Sequence, residues 1–580
     1  MAGDRELDTA RRSPRNSDSR NISCRVALIF YLLLPVFCLS QTRTPPDFDK
    51  LKSLFAEQKW REVASLATQN PGRNPELYFY AGVAFAQLAE FEQARSQLLQ
   101  GRNALPGDPR FPTELAGVEF KQKKYSAAAA WLRRAARLNP HDEYVNNFLA
   151  TVYFVGGNLE AALKYWNRVN RPLVASVDIP KALHTNPVLL DRALAFSPAV
   201  RLTLADFLTS EARLEGFGVF ARERLRLAAA QNETFDISLD AQERNGFGAD
   251  KWQALLSTFR GVFYQTAYPE YFNFHRAAVN FTSLLRWDSE KRRASASISG
   301  PLRGNPKRRF NFNLDLRNEN WDIRRSFSGP APVLASLNLR KIAAGANLTS
   351  FSSGRLTWST GLEGSYRDYR NVLAGSALTS DLLLEGAQIK ATANFRYDLL
   401  RIPERRWTST VLGNSQVSRI WSDPTALFGK FDAAIDNSWF PQFEEDDYEF
   451  REKLSAGTIT GSFPFDELYS LGLERDNDLW LRAHIGTRDG RKGSAPLGRT
   501  YFLSNAEINK TLYSNGILSL RLAPFLDSGK ITGPASLGSN KWLWDTGAQV
   551  KLRVLSVGFT FIYGKDLRTG NNAFYLTATR

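Results

Sequence analysis

Residues 545–564 read DTGAQVKLRVLSVGFTFIYG. Between 548 and 554 the stretch alternates strictly, with Ala548, Val550, Leu552 and Val554 on one side and Gln549, Lys551 and Arg553 on the other. Phe559, Phe561 and Tyr563 continue the apolar side. A period of two is the mark of a β-strand with one greasy face and one polar face. The pattern recurs upstream. In 309–318, RFNFNLDLRN, the residues Phe310, Phe312, Leu314 and Leu316 oppose Asn311, Asn313, Asp315 and Arg317. In 292–300, RRASASISG, Ala294, Ala296 and Ile298 oppose serines, and in 517–525, ILSLRLAPF, Leu518, Leu520 and Leu522 oppose Ser519, Arg521 and Ala523.

From about residue 275 such strands follow one another, nine before Pro464 and five after it. An even number puts both ends of the array on one side. Short joins at SSG (352–354), IPERR (402–406), YSNG (513–516) and VLSVG (554–558) alternate with long ones at 321–332, 370–381 and 464–498. One join, PQFEEDDY (441–448), is long where a short one is expected. Trp287, Trp321, Trp358, Trp407, Trp421, Trp439 and Trp544 fall near strand ends, where the aromatic girdles of a membrane barrel belong. A soluble sandwich would bury the apolar face against a second sheet. The alternating joins and the aromatic ends favour a closed barrel, because strands in hydrocarbon must satisfy their backbone hydrogen bonds among themselves. On that reading the valines and phenylalanines meet lipid, and Lys551 and Arg553 face a polar lumen.

The N-terminus agrees with export. Residues 25–41, RVALIFYLLLPVFCLSQ, set Arg25 before an apolar run and small residues near Ser40. Residues 1–40 therefore read as a signal peptide; a short N-terminal anchor is the alternative, but the run falls below the roughly 20 residues that span a bilayer. Both cysteines, Cys24 and Cys38, sit in this leader. A processed chain would have no disulfide, thiolate ligand or cysteine nucleophile. Across the 580 residues, 43% hydrophobic and 12% aromatic content indicates folded domains, while a mean hydropathy of −0.33 excludes a bundle of membrane helices. The formal charge of +16 is scattered among 59 acids without a basic patch, so no nucleic-acid partner is expected.

Residues 45–172 are alanine-rich with helical periodicity, and three columns repeat at 34 residues: Ala94, Ala128 and Ala162; Leu98, Leu132 and Trp166; Phe91, Tyr125 and Leu159. Pro106 and Pro140 punctuate the units. The region resembles the tetratricopeptide repeat family, which implies an all-α solenoid with a concave surface for a protein partner and makes the first two columns packing residues. A degenerate unit precedes it at 51–67. Residues 173–247 give an amphipathic helix ending in LEGFGVF, a strand with Leu225 and Leu227 inward, and another with Phe235, Ile237, Leu239 and Ala241 on one face. This resembles the second half of a POTRA domain, a small α/β module that precedes certain outer-membrane barrels; a generic α/β linker is the alternative. A connector, 248–274, leads to the barrel, 275–580.

Near the end, APFLDSGKI holds Phe525, Asp527 and Gly529 in an F-x-D-x-G arrangement, and LWLRAHIGTRDGRKG places Arg482 in the long loop. These resemble motifs of the bacterial surface-antigen superfamily, which includes BamA-like assembly factors and two-partner secretion transporters. The resemblance implies that the loop folds into the lumen and that Arg482 docks on the strand carrying Phe525, Asp527 and Gly529. Ala483 and His484 stand where that family has glycine and an aromatic.

Catalytic signatures are missing. His141, His184, His275 and His484 show no metal-ligand spacing, and neither G-x-S-x-G nor a phosphate-binding G-x-x-x-x-G-K-[ST] occurs. The acidic run at 444–447 lacks glycine-punctuated calcium spacing and reads as a solvated loop. No enzyme, cofactor or metal is expected. The chain reads as a multidomain protein: a tetratricopeptide solenoid, a POTRA-like module and an antiparallel transmembrane barrel of about fourteen to sixteen strands. The expected function is assembly, insertion or translocation of proteins in a bacterial outer membrane, with lipid around the barrel and periplasmic repeats that capture client or accessory proteins. The alternative is an exopolysaccharide export porin on a tetratricopeptide scaffold.

Overall fold

The computed structural model describes residues 46–69, 74–231, 234–324, 332–533, 537, 539–555 and 557–579. The expected signal peptide with Cys24 and Cys38 lies outside the described residues, as does most of the join at 321–332. Helix α1 (Pro46–Ala56) belongs to a separate unit, 1–59; the chain from Trp60 onward forms the second unit, and the contacts below are within it.

Helix α2 (Trp60–Thr68) is followed by three hairpins: α3 (Glu76–Gln87) with α4 (Phe91–Ala104), α5 (Arg110–Lys121) with α6 (Tyr125–Leu138), and α7 (Glu143–Val155) with α8 (Leu159–Trp166). The 34-residue columns lie in the core. Ala94, Ala128, Ala162, Leu98 and Leu132 are fully buried, and Trp166 nearly so. Small residues let the helices approach: a Cβ on Gly82 would clash with Leu98, and its counterparts 34 and 68 residues on, Ala116 and Ala150, are fully buried. Asp142 and Asn158 cap α7 and α8, their side chains accepting from Val145 N at 2.9 Å and Ala161 N at 3.0 Å.

The last hairpin shares one core with an α/β module. This module comprises β1 (Leu173–Asp178), α9 (Pro187–Ala193), α10 (Leu204–Phe217), β2 (Phe220–Ala229) and β3 (Thr234–Glu243). Its sheet has the order β1-β3-β2, with β1 parallel and β2 antiparallel to β3. Leu225, Ile237 and Leu239 are buried on one face, and Trp166 meets Phe235 at 4.8 Å. Helix α10 ends on Gly218 at φ +64°, a left-handed position that glycine adopts without a Cβ penalty.

After α11 (Lys251–Phe259) and a turn, the sheet begins: β4 (Thr266–Ala267), β5 (Glu270–Phe274), β6 (Val279–Trp287), β7 (Lys291–Leu302), β8 (Asn305–Arg324), β9 (Val333–Phe351), β10 (Leu356–Leu373), β11 (Gly386–Ile402), β12 (Trp407–Trp421), β13 (Ala426–Trp439) and β14 (Tyr448–Gly461). A loop, 462–499, carries the two-residue strands β15 (Tyr469–Ser470), β16 (Thr487–Arg488), β17 (Arg491–Lys492) and β18 (Leu497–Gly498). Five strands finish the chain: β19 (Thr500–Ser514), β20 (Leu518–Thr532), β21 (Ser539–Val554), β22 (Val557–Asp566) and β23 (Asn572–Thr579). Antiparallel ladders join each consecutive long strand from β6 to β14, β14 to β19, and onward to β23. The strands trace one barrel circuit, yet no residue-by-residue ladder joins β23 to the first strands among the described residues. The sheet also starts earlier than the expected boundary at 275, because β4 and β5 already pair with β6.

The opening stretch forms β21 and β22, with Ala548 opposite Tyr563, Val550 opposite Phe561 and Leu552 opposite Phe559. Val550, Phe561 and Tyr563 are exposed on the outer wall, as are Phe312, Leu314, Leu316, Leu362 and Ile389. Charged residues of the opposite parity turn inward and pair, as Arg293 does with Asp315 at 2.7 Å. Of the tryptophans expected on the outer rims, Trp287, Trp358, Trp407, Trp421, Trp439 and Trp544 are exposed there. Trp321 is a correction: its odd parity on β8 turns it inward, where it packs edge-on against Phe465 at 5.2 Å.

One rim meets the helices. Glu160 pairs with Arg401 at 2.5 Å, Lys164 with Glu404 at 2.7 Å, and Asn158 donates to Pro403 O at 2.8 Å. The unexpectedly long join at 441–448 belongs to this rim: Phe443 stacks on Tyr153 at 5.6 Å and fills the space beside Gly156. The α/β module holds the neighbouring barrel residues: Gly354 N donates to Thr209 Oγ1 at 2.9 Å and Asn280 Nδ2 donates to Phe217 O at 2.8 Å.

Candidate functional site: a loop docked in the barrel lumen

A wall of fourteen strands, β6–β14 and β19–β23, preceded by β4 and β5, encloses more space than its own side chains fill. Here the 462–499 loop enters that space and is tied to the wall by charge. The densest tie uses three consecutive loop residues and three aspartates. Register places Asp527 of β20 opposite Asp545 of β21, and Asp545 opposite Asp566 of β22, so one row of lumen-facing carboxylates crosses three strands. All three are buried.

Arg482 addresses the first of them. Its Nε donates to Asp527 Oδ2 at 2.8 Å and its Nη2 to Oδ1 at 2.6 Å, a planar fork matched to a carboxylate. Its backbone N–H also donates to Asp527 Oδ2, at 3.1 Å, and its Nη1 to Glu507 Oε2 at 2.8 Å. The guanidinium lies 3.9 Å from the centre of the Phe525 ring. Asn505 donates to the same Asp527 at 2.8 Å and to Trp480 O at 2.8 Å, linking wall and loop again. The structure thus brings together Arg482, Phe525 and Asp527. Gly529 does not touch Arg482; a side chain there would press on Leu471 of the loop and Leu503 of the wall at 3.3 Å.

The next two residues address the rest of the row. Ala483 N donates to Asp545 Oδ2 at 2.7 Å. His484 sets Nδ1 3.0 Å from Asp545 Oδ2 and Nε2 3.9 Å from Asp566 Oδ2. These three side chains lie close enough to consider a metal, with ligand atoms within 4.8 Å of one another. The carboxylates, however, approach opposite nitrogens of one ring, which suits hydrogen bonding through the imidazole better than a common metal. Gly564 makes room for the tip, since a Cβ there would overlap the Arg482 carbonyl.

Two further ties hold the loop elsewhere. Asp466 and Glu467 receive Lys341 at 3.0 and 3.4 Å and also meet the fully buried Arg367 of β10. Asp476 receives Arg286 at 2.8 Å, Arg293 at 2.8 Å and Lys492 at 3.0 Å, and Lys492 in turn meets Glu319 at 2.8 Å. Buried charges of this kind are tolerated only when paired and hydrogen-bonded. A cavity of about 920 Å³ remains between loop and wall, lined by Lys390, Lys430, Asp432 and Lys453 among others.

Sequence reasoning did not find Glu507, Asp545 or Asp566. Their only sequence signal is parity, since each occupies an inward position of its strand.

No family model matches the chain, and no curated protein does. Among solved structures, it is similar to BamA from Haemophilus ducreyi lacking POTRA domains 1–3 (13% identity, 70% of this chain and 84% of that one, TM-score 0.41) and to CdiB from Escherichia coli (13%, 70% and 75%, TM-score 0.45). MamA from Desulfovibrio magneticus RS-1 matches a smaller part (13% identity, 21% of this chain and 72% of that one, TM-score 0.21). No described helix is long and apolar enough to cross a membrane.

Proposed function

We propose that this chain is a bacterial outer-membrane barrel that inserts or translocates other proteins, with its helical repeats and POTRA-like module in the periplasm. The exposed apolar wall supports the membrane setting, because a surface of that extent in water would be an aggregation hazard. The observation that carries the transport reading is the lumen loop, fixed to the wall by Arg482 on Asp527. A barrel plugged by its own loop is suited to opening on demand rather than to steady diffusion. In this reading the repeats capture a client or accessory factor on their concave face. The edge strand β2 then accepts an extended segment by strand addition before hand-over to the barrel.

The export-porin alternative asks for an open channel, which the paired charges around the loop disfavour. Depleting the protein and quantifying the outer-membrane proteome separates the two. Protein assembly predicts loss of other barrels or of a secreted protein. An unchanged proteome with loss of surface polysaccharide would contradict it.

A further inference from the structure

The segment between the α/β module and the barrel, FGADKWQALLSTFRGVF at 247–263, combines a capped helix with an unusual density of uncovered apolar side chains. Asp250 caps α11 by accepting from Gln253 N at 2.8 Å. Trp252, Leu255 and Phe259, spaced i, i+3, i+7, fall on one helical stripe and are 75%, 52% and 48% exposed. Val262 and Phe263 extend it, and Phe263 is 82% exposed. The adjacent stripe is polar and buried. Ser257 donates to Glu270 Oε2 at 3.0 Å, and Arg260 pairs with Glu270 Oε1 at 3.3 Å. Glu270 stands opposite Thr282 of β6, on the lumen side of the sheet.

The place of this segment in the circuit gives the pattern its meaning. After α11, the Tyr264 ring lies 3.6 Å from the guanidinium of Arg475 in the lumen loop; the same guanidinium lies 5.7 Å from the ring of Tyr575 on β23. Helix and turn therefore sit where the first and last strands face each other without a ladder. On one flank Phe247 meets Tyr271 edge-on at 5.3 Å, and Tyr271 stacks on Phe274 at 4.3 Å, on the outer face of β5. On the other flank Phe574 of β23 is 73% exposed. Outer-face aromatic residues thus stand on β5 and on β23, the two strands that the exposed stripe lies between.

We propose that α11 and the turn after it form a membrane-facing wedge that seals the seam between β5 and β23, with bilayer hydrocarbon as the partner of Trp252, Leu255, Phe259 and Phe263. A helix suits this position because it satisfies its own backbone hydrogen bonds, whereas an unpaired strand edge facing lipid would not. The proposal rests on the membrane reading above and adds a place and an orientation for the connector.

Spin labelling tests it on the full chain. Single cysteines at Leu255, Phe259 and Phe263, and as wall controls at Leu362 and Ile389, are introduced with Cys24→Ser and Cys38→Ser. The labelled protein is reconstituted in phospholipid vesicles, and collision with oxygen is compared with collision with a water-soluble nickel chelate. The wedge predicts the same oxygen-dominated ratio at helix and control sites. Nickel-dominated collision at the helix sites alone would overturn the proposal while leaving the barrel in the membrane. Nickel-dominated collision at the wall controls too would overturn the membrane reading and the wedge with it.

Discussion

Asp527 is fully buried, and Arg482 supplies most of the charge that keeps it there. Arg482→Ala would leave that carboxylate without a cation, held only by Asn505 and the backbone N–H of residue 482, and breaking a buried pair costs about 3–5 kcal/mol. The expected outcome is an undocked loop that protease cleaves in intact vesicles; unchanged protection would contradict it. Arg482→Lys keeps the charge but not the two-pronged geometry, so it should rescue only in part. Gly564→Ala should mimic the loss without touching a charge, by pushing on the Arg482 carbonyl. Arg482 and Asp527 were legible as a pair only through motif resemblance. Asp545 and Asp566 were not legible, because the row they form with Asp527 depends on ladder register, which no spacing along the chain encodes.

Between elements, the junction of repeats and barrel has a titratable member. Glu211 on α10 has its carboxyl pushed up to about 7, first by burial and then by the nearby Glu160 charge. The folded state therefore holds this proton more tightly than the unfolded chain does. Its contribution is complete below about pH 4.5 and is lost as the pH rises through about 7, with stability falling by about 1–2 kcal/mol after allowance for solvent screening. Glu211→Gln should flatten that part of the profile, which thermal unfolding in detergent at pH 5.5 and 8 would show. Phe443→Ala should weaken the same junction by about 2 kcal/mol, read as earlier proteolytic release of the repeats. The repeats themselves were legible because Ala94, Ala128 and Ala162 share a period with Leu98, Leu132 and Trp166. The docking of the 441–448 join was not. Its acidic composition reads as solvent-facing, and only the fold brings Phe443 to Tyr153.

For the whole molecule, alternation along single strands carried the barrel reading, since period two with opposite faces survives any error in strand count. The seam was beyond that signal: α11 lies within 248–274, a stretch that reads only as a connector because it carries no period-two alternation. The proposed function requires a membrane barrel whose lumen is held shut by the chain's own loop. Thr458 of β14 and Thr500 of β19 are register partners, so residues 465–497 can be replaced by a short glycine–serine linker without parting the strands. The most direct test is single-channel conductance of both proteins in planar bilayers. A plugged barrel should give a small, flickering conductance for the intact chain and a large, steady one for the loop-excised chain. Equal conductance, or failure of either to enter the bilayer, would contradict it.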